Sequence, residues 1–228
     1  MFNKLHVQGV KMSKNFVELF SLRYSVYSRI VKIVLQEKGI TFDTHEVNPF
    51  SDNLPSNYTE IHPFKRVPAI RHGDFTLYET IAITQYLDEA FEAPRLQPSD
   101  ATDRARMRQI IAIIDSYGYI PLVRKVFSQR VFGPAFGEAT DESILLAGLD
   151  ESVQVLAALE KLITNDRFMA ASSYSLADSH VIPMMDYFTM APEGANMLSN
   201  YPKLAHWWDH IKERKSTLST RPVLPSSP

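Results

Sequence analysis

The chain is predicted to fold as an α/β unit with a mixed sheet, followed by an all-α domain. Three observations predict this. Between Phe16 and Phe91, short apolar runs of strand character are interleaved with segments of helical spacing. The stretch Glu92–Ala101 (E-A-P-R-L-Q-P-S-D-A) is polar and punctuated by proline, as a linker is. Beyond it, the well-patterned apolar segments have helical spacing.

Residues 1–14 are polar and aperiodic and read as a tail. Phe16–Ser21 is a strand candidate, and Leu22–Ser25 a loop. Tyr27, Ile30, Val31, Val34 and Leu35 lie on one helical face, with Gly39 as the stop. Ile40–Val47 alternates and reads as a second strand. Asn48–Glu60 is rich in turn residues. Ala69–Arg71 is a short strand, His72-Gly73-Asp74 a turn, and Phe75, Leu77 and Tyr78 mark a further strand. From Thr80 the spacing turns helical through Ile83, Tyr86, Leu87, Ala90 and Phe91. The order is β-α-β-(α)-β-β-α.

In the second part, Met107, Ile110, Ile111 and Ile114 begin a long helix. It is expected to bend near Gly118 and Pro121 and to run to about Phe132. Gly133–Gly137 breaks it, and Asp141 or Asp150 opens the next helix, striped by Val155, Leu156, Leu159, Leu162 and Ile163. Ser175-Leu-Ala-Asp178 is a capping box. Val181, Met184, Met185 and Phe188 follow at helical spacing, with Pro183 expected to kink the helix unless it falls in the first turns. Pro202 suits the first position of a last helix carrying Leu204, Trp207, Trp208 and Ile211. Ser216–Pro228 is aperiodic. The expected division is a tail (1–14), an α/β domain (15–91), a linker (92–101), a helical domain (102–215) and a C-terminal tail (216–228).

Composition narrows the function. Lys+Arg 24 against Asp+Glu 26 gives a net charge of -2, which disfavours a strongly electrostatic nucleic-acid or membrane binder. The sequence shows neither a signal-peptide pattern nor an apolar run of membrane-spanning length, so a cytoplasmic protein is expected. Cysteine is absent from the chain, which removes every mechanism that needs a protein thiol.

Several motifs point one way. Arg66-Val67-Pro68-Ala69-Ile70 followed by Glu79-Thr80-Ile81-Ala82-Ile83 is similar to the K-V-P-x-L … E-S-x-A-I pattern of the glutathione transferase superfamily. Ser25-Val26-Tyr27-Ser28-Arg29-Ile30-Val31-Lys32-Ile33 resembles the run opening the first helix of its serine-type members. The box at Ser175–Asp178 and the run Tyr201-Pro202-Lys203-Leu204-Ala205-His206-Trp207 resemble the family's helical-domain motifs. The chain departs from the family at His62-Pro63, Lys65-Arg66 and Val26, which leaves the class unassigned.

The resemblance implies a thioredoxin-like N-terminal domain plus an all-α C-terminal domain, with glutathione as cofactor. It implies a cis Val67-Pro68 bond that presents the Val67 backbone to the cysteinyl amide. It also implies Glu79 and Thr80 at the γ-glutamyl end and Arg66 at a carboxylate. Ser25 is the implied catalytic residue, a hydroxyl donor that favours the glutathione thiolate at a helix N-terminus; Ser28 and Tyr24 remain open as the sulfur's partner. An electrophile pocket is expected between the domains, with Tyr24, Tyr117 and Arg124 as lining residues and Tyr119 and Phe127 as further candidates. Phe64 resembles the aromatic key that locks dimers, so a homodimer is expected.

The implied activity is conjugation of glutathione to a small hydrophobic electrophile, in detoxification. A glutathione-dependent isomerase or a non-catalytic binding protein of the same fold is the alternative. Without cysteine, deglutathionylation through a mixed disulfide is excluded. His206 and His210 lie i, i+4 but lack the general-base Glu of a metalloprotease helix, so no metal is expected.

Overall fold

A computed structural model describes residues 16–51, 54–55, 57–92, 94–163 and 167–225. The expected tail at 1–14 lies outside the described residues, as do the last residues of the expected C-terminal tail. The first part contains β1 (Phe16–Ser21), α1 (Val26–Glu37), β2 (Thr41–Glu46), α2 (Tyr58–Ile61), β3 (Ala69–His72), β4 (Phe75–Tyr78) and α3 (Thr80–Ala90), the order read from the sequence. The strands form a 4-stranded mixed sheet in the order β2-β1-β3-β4. β1 runs parallel to β2 and antiparallel to β3, and β3 and β4 pair as a hairpin.

Side chains alternate across this sheet. Val17, Leu19 and Ile70 face the large core shared with α1, α3 and the helical domain. Phe20 and Ala69 face a smaller core with Val47, Tyr58 and Ile61. Among the described residues β2 pairs with β1 alone, and its polar sequence is mostly exposed, as suits an edge strand.

The second part contains α4 (Ala101–Ile113), a π-helical segment (Ile114–Phe132), α5 (Gly133–Ala135), α6 (Glu142–Leu162), α7 (Leu176–Met190), α8 (Pro192–Leu198), α9 (Pro202–Ile211) and α10 (Lys215–Thr220). The bend expected near Gly118 and Pro121 falls within the π-helical segment, which ends at Phe132, where the long helix was expected to end. Pro121 lies inside this segment, and its nitrogen has no proton to donate. At Gly148 a side chain would meet Lys125 Cβ at 2.5 Å, so α6 can lie close on this segment only with glycine there.

Asp141, not Asp150, opens α6, accepting from Ser143 N at 2.9 Å and Ile144 N at 3.1 Å. The capping box forms at Ser175 and Asp178, and α7 runs on through Pro183. The buried Asp178 carboxylate also accepts from Met169 N and Trp207 Nε1, both at 2.9 Å, which fastens α9 to the start of α7. Burial pushes its pKa up, and these donors oppose the shift.

The aperiodic reading of the chain after Ser216 misses α10. This helix is held on α1 by polar contacts: Arg29 Nη2 donates to Thr217 O at 3.0 Å, and Ser216 Oγ donates to Glu37. Arg29 and Arg221 both pair with Asp186 on α7, at 2.7 and 2.6 Å. Hydrophobic periodicity does not register attachments of this kind.

Candidate active site

The site is built from two chain segments. The first is the start of α1. Ser25 is the N-cap, with extended backbone (φ −70, ψ 120). Its Oγ accepts from Ser28 N at 3.2 Å, and its carbonyl accepts from Arg29 N at 3.0 Å. The Ser25 side chain caps the helix as an acceptor and keeps its own proton to donate. Ser25 is half-buried. Ser28 is 1% exposed, and its Oγ accepts from Leu22 N at 3.3 Å, so that hydroxyl faces the interior of the loop.

Tyr24 turns toward the helical domain. Its ring packs edge-on against Phe132 at 5.4 Å and Phe136 at 5.8 Å, and its carbonyl accepts from the Tyr187 hydroxyl at 3.4 Å.

The second segment runs from His62 to Thr80. The Val67-Pro68 bond is cis. The Tyr58 hydroxyl donates to Arg66 O at 2.7 Å, which anchors the approach to this bond, while the Arg66 side chain is exposed. Pro68 is buried and Val67 half-buried. The N-cap of α3 is Glu79 rather than Thr80, and Glu79 makes no side-chain cap bond. Its φ of 71 lies in the left-handed region, a strained position for a residue with a side chain. Thr80 follows as the first helical residue, 8% exposed, beside the free N–H groups of the helix start.

Tyr27 and His62 show how these segments meet. Burial pushes the Tyr27 phenol well above its ordinary value, Asp115 and Tyr119 add to the rise, Arg66 opposes it and Glu79 adds a little. Tyr27 on α1 therefore shares an electrostatic neighbourhood with Arg66 and Glu79 and remains a neutral O–H donor. Its ring also lies 5.2 Å from that of Tyr119. His62 is 2% exposed, and among the described residues its Nδ1 has no hydrogen-bond partner. Sequence reasoning took Tyr27 as part of a helical stripe and of the run after Ser25, without a site role; its position two residues after Ser25, in the first turn, was the available signal.

The lining residues read from the sequence divide. Tyr24 sits in an interdomain aromatic cluster, whereas Tyr117 is 68% exposed and Arg124 is exposed. Phe127 is buried and stacks on Tyr187 at 4.3 Å. The ring partners of Tyr24, Phe132 and Phe136, were not among the predicted lining residues. Phe64 is 67% exposed, its ring 6.2 Å from both His62 and Tyr78.

Comparison with known proteins identifies the family. The family profile "Glutathione S-transferase, N-terminal domain" matches residues 19–95, and "Glutathione S-transferase, C-terminal domain" matches 119–215. The chain is 28% identical to glutathione S-transferase F13 of Arabidopsis thaliana over 202 residues, covering 87% of this chain and 91% of that protein. It is 27% identical to glutathione S-transferase theta-3 of Mus musculus over 201 residues, covering 86% and 82%. In fold it is similar to glutathione S-transferase III in its apo form, with a TM-score of 0.80, 24% identity and coverage of 93% and 99%. It is also similar to glutathione S-transferase I from mais in complex with an atrazine glutathione conjugate, with a TM-score of 0.78, 23% identity and coverage of 90% and 95%. The chain therefore belongs to the glutathione transferase superfamily, as an enzyme with glutathione as its cofactor.

Proposed function

We propose that this transferase conjugates glutathione to small hydrophobic electrophiles and that the Ser25 hydroxyl stabilises the reacting thiolate. One observation carries the reading. Ser25 Oγ accepts from Ser28 N at 3.2 Å at the start of α1, which leaves the hydroxyl proton for a sulfur, and Ser25 is half-buried while Ser28 is buried. A free thiol has a pKa of about 8.5, and each unit of lowering corresponds to about 1.4 kcal/mol in favour of the thiolate. The positive end of α1 acts in the same direction as the hydroxyl.

The cis Val67-Pro68 segment supports recognition of an extended peptide, with the Val67 backbone toward the cysteinyl amide. The helix start at Thr80 suits the γ-glutamyl carboxylate, and Glu79 its ammonium. The exposed Arg66 suits a carboxylate through its forked guanidinium. The electrophile would enter beside Tyr24, against Phe132 and Phe136, with Tyr117 and Arg124 farther along the same rod. The protein acts as a homodimer keyed by Phe64, in the cytoplasm, in detoxification.

Measuring kcat/KM for conjugation of a model aryl halide by Ser25→Ala tests the assignment. Loss of one hydrogen bond to a charged sulfur predicts a fall of about 10- to 100-fold. An unchanged rate would remove Ser25 from the mechanism.

A further inference from the structure

A three-residue relay centred on a buried histidine joins the two parts of the molecule. His180 on α7 is 0% exposed. Its Nε2 lies 3.2 Å from Thr84 Oγ1 on α3, and its Nδ1 lies 3.2 and 3.4 Å from the two carboxylate oxygens of Asp115 on the π-helical segment. With Nδ1–H facing the Asp115 carboxylate, the neutral His180 ring presents Nε2 as an acceptor to the Thr84 hydroxyl, which also lies 3.2 Å from Ile81 O. The ring thus holds a fixed orientation between an element of the α/β domain and an element of the helical domain.

The Thr84 end of the relay lies on the helix that opens at Thr80. Thr84 stands one turn after Thr80, on the same face of α3. The Asp115 side chain is 23% exposed, and its charge acts on the Tyr27 phenol, which also feels Arg66 and Glu79. The wall behind the relay is firm, because α7 is buried from Leu176 to Phe188.

We propose that His180 is a positioning residue for glutathione: through Thr84 and Asp115 it sets the ligand-binding start of α3 against the helical domain. This rests on the reading that Glu79 and Thr80 hold the γ-glutamyl end. The chemistry of conjugation lies elsewhere, so the relay governs affinity for glutathione rather than the rate of the bound complex.

The test is the KM for glutathione at saturating electrophile, followed together with the melting temperature, in Thr80→Ala, Thr84→Val, Thr84→Ser and Asp115→Asn. Thr84→Val and Asp115→Asn are expected each to raise KM about tenfold, the effect of about 1.4 kcal/mol, with kcat little changed. Thr84→Ser restores the hydroxyl and with it the wild-type KM. The double variant Thr84→Val/Asp115→Asn should be no worse than either single one, since both cut the same relay. If Thr80→Ala leaves KM unchanged, the ligand reading itself falls, and the proposal with it. If Thr80→Ala raises KM but Thr84→Val and Asp115→Asn only lower the melting temperature, the relay is structural and the proposal is overturned.

Discussion

Ser28 N donates to Ser25 Oγ at 3.2 Å, and the two serines thereby take different parts in one capped turn. Ser25 keeps a proton to offer outward, while the Ser28 hydroxyl is buried and accepts from Leu22 N. Ser28→Ala is therefore expected to retain conjugation within about threefold and to lose about 1 kcal/mol of stability, the usual worth of one hydrogen bond. Steady-state kinetics beside urea denaturation checks this. A loss of activity as deep as that of Ser25→Ala would shift the assignment to Ser28.

The connection after α3 depends on a buried ion pair. Lys38 Nζ lies 3.2 Å from Asp88 Oδ1, with both side chains 0% exposed. The Asp88 carboxylate also accepts from Leu96 N at 2.7 Å and Gln97 N at 3.1 Å, and so fastens the linker to α3. Asp88→Ala leaves Lys38 buried without its counter-ion and is expected to destabilise the protein by about 3–5 kcal/mol. Chemical denaturation measures this, and a change below about 1 kcal/mol would contradict it.

His62 makes stability depend on pH. Burial holds its imidazole below the ordinary value, Glu79 opposes this, and Arg66 adds to the depression. Because the folded pKa is depressed, the unfolded chain takes up the proton first as pH falls. The stabilising contribution is present above the unfolded value of about 6.5 and is lost as pH falls through the folded one. Denaturation midpoints should decline below about pH 6.5 in the native sequence and decline less steeply in His62→Asn. Parallel curves would contradict the role given to His62.

Phe64 presents a large apolar ring to solvent, 67% exposed beside Tyr78 and His62. If this ring is the key of a homodimer, Phe64→Ala should shift the sedimentation of the protein toward a monomer and weaken association at least tenfold, as truncation of a buried aromatic anchor does. An unchanged dimer constant, or a monomeric native chain, would contradict it.

Much of the architecture was legible because periods of two and of 3.6 residues are physical consequences of strand and helix geometry. β1, α1 and the β3–β4 hairpin follow from that patterning, and Asp141, Ser175-Asp178 and Pro202 mark their helix starts by capping chemistry. The π-helical register from Ile114 was hidden because Gly118 and Pro121 interrupt the apolar stripe that would have revealed its period. α10 was hidden because Arg29, Glu37 and Asp186 hold it by polar bonds distant in sequence. The candidate site was legible through local motifs, at Ser25, Val67-Pro68 and Glu79-Thr80. Tyr27, Phe132, Phe136 and the Thr84–His180–Asp115 relay acquire their neighbours only when the domains pack.

The most direct measurement of the central claim is the titration of the glutathione thiol bound to the enzyme, followed by thiolate absorbance, in the native sequence and in Ser25→Ala. With the Ser25 hydroxyl donating to sulfur, the bound thiol should titrate at least about one unit below the free value of about 8.5, and Ser25→Ala should return most of that shift. The same depressed value in both proteins would contradict the account, because the thiolate would then be stabilised without Ser25.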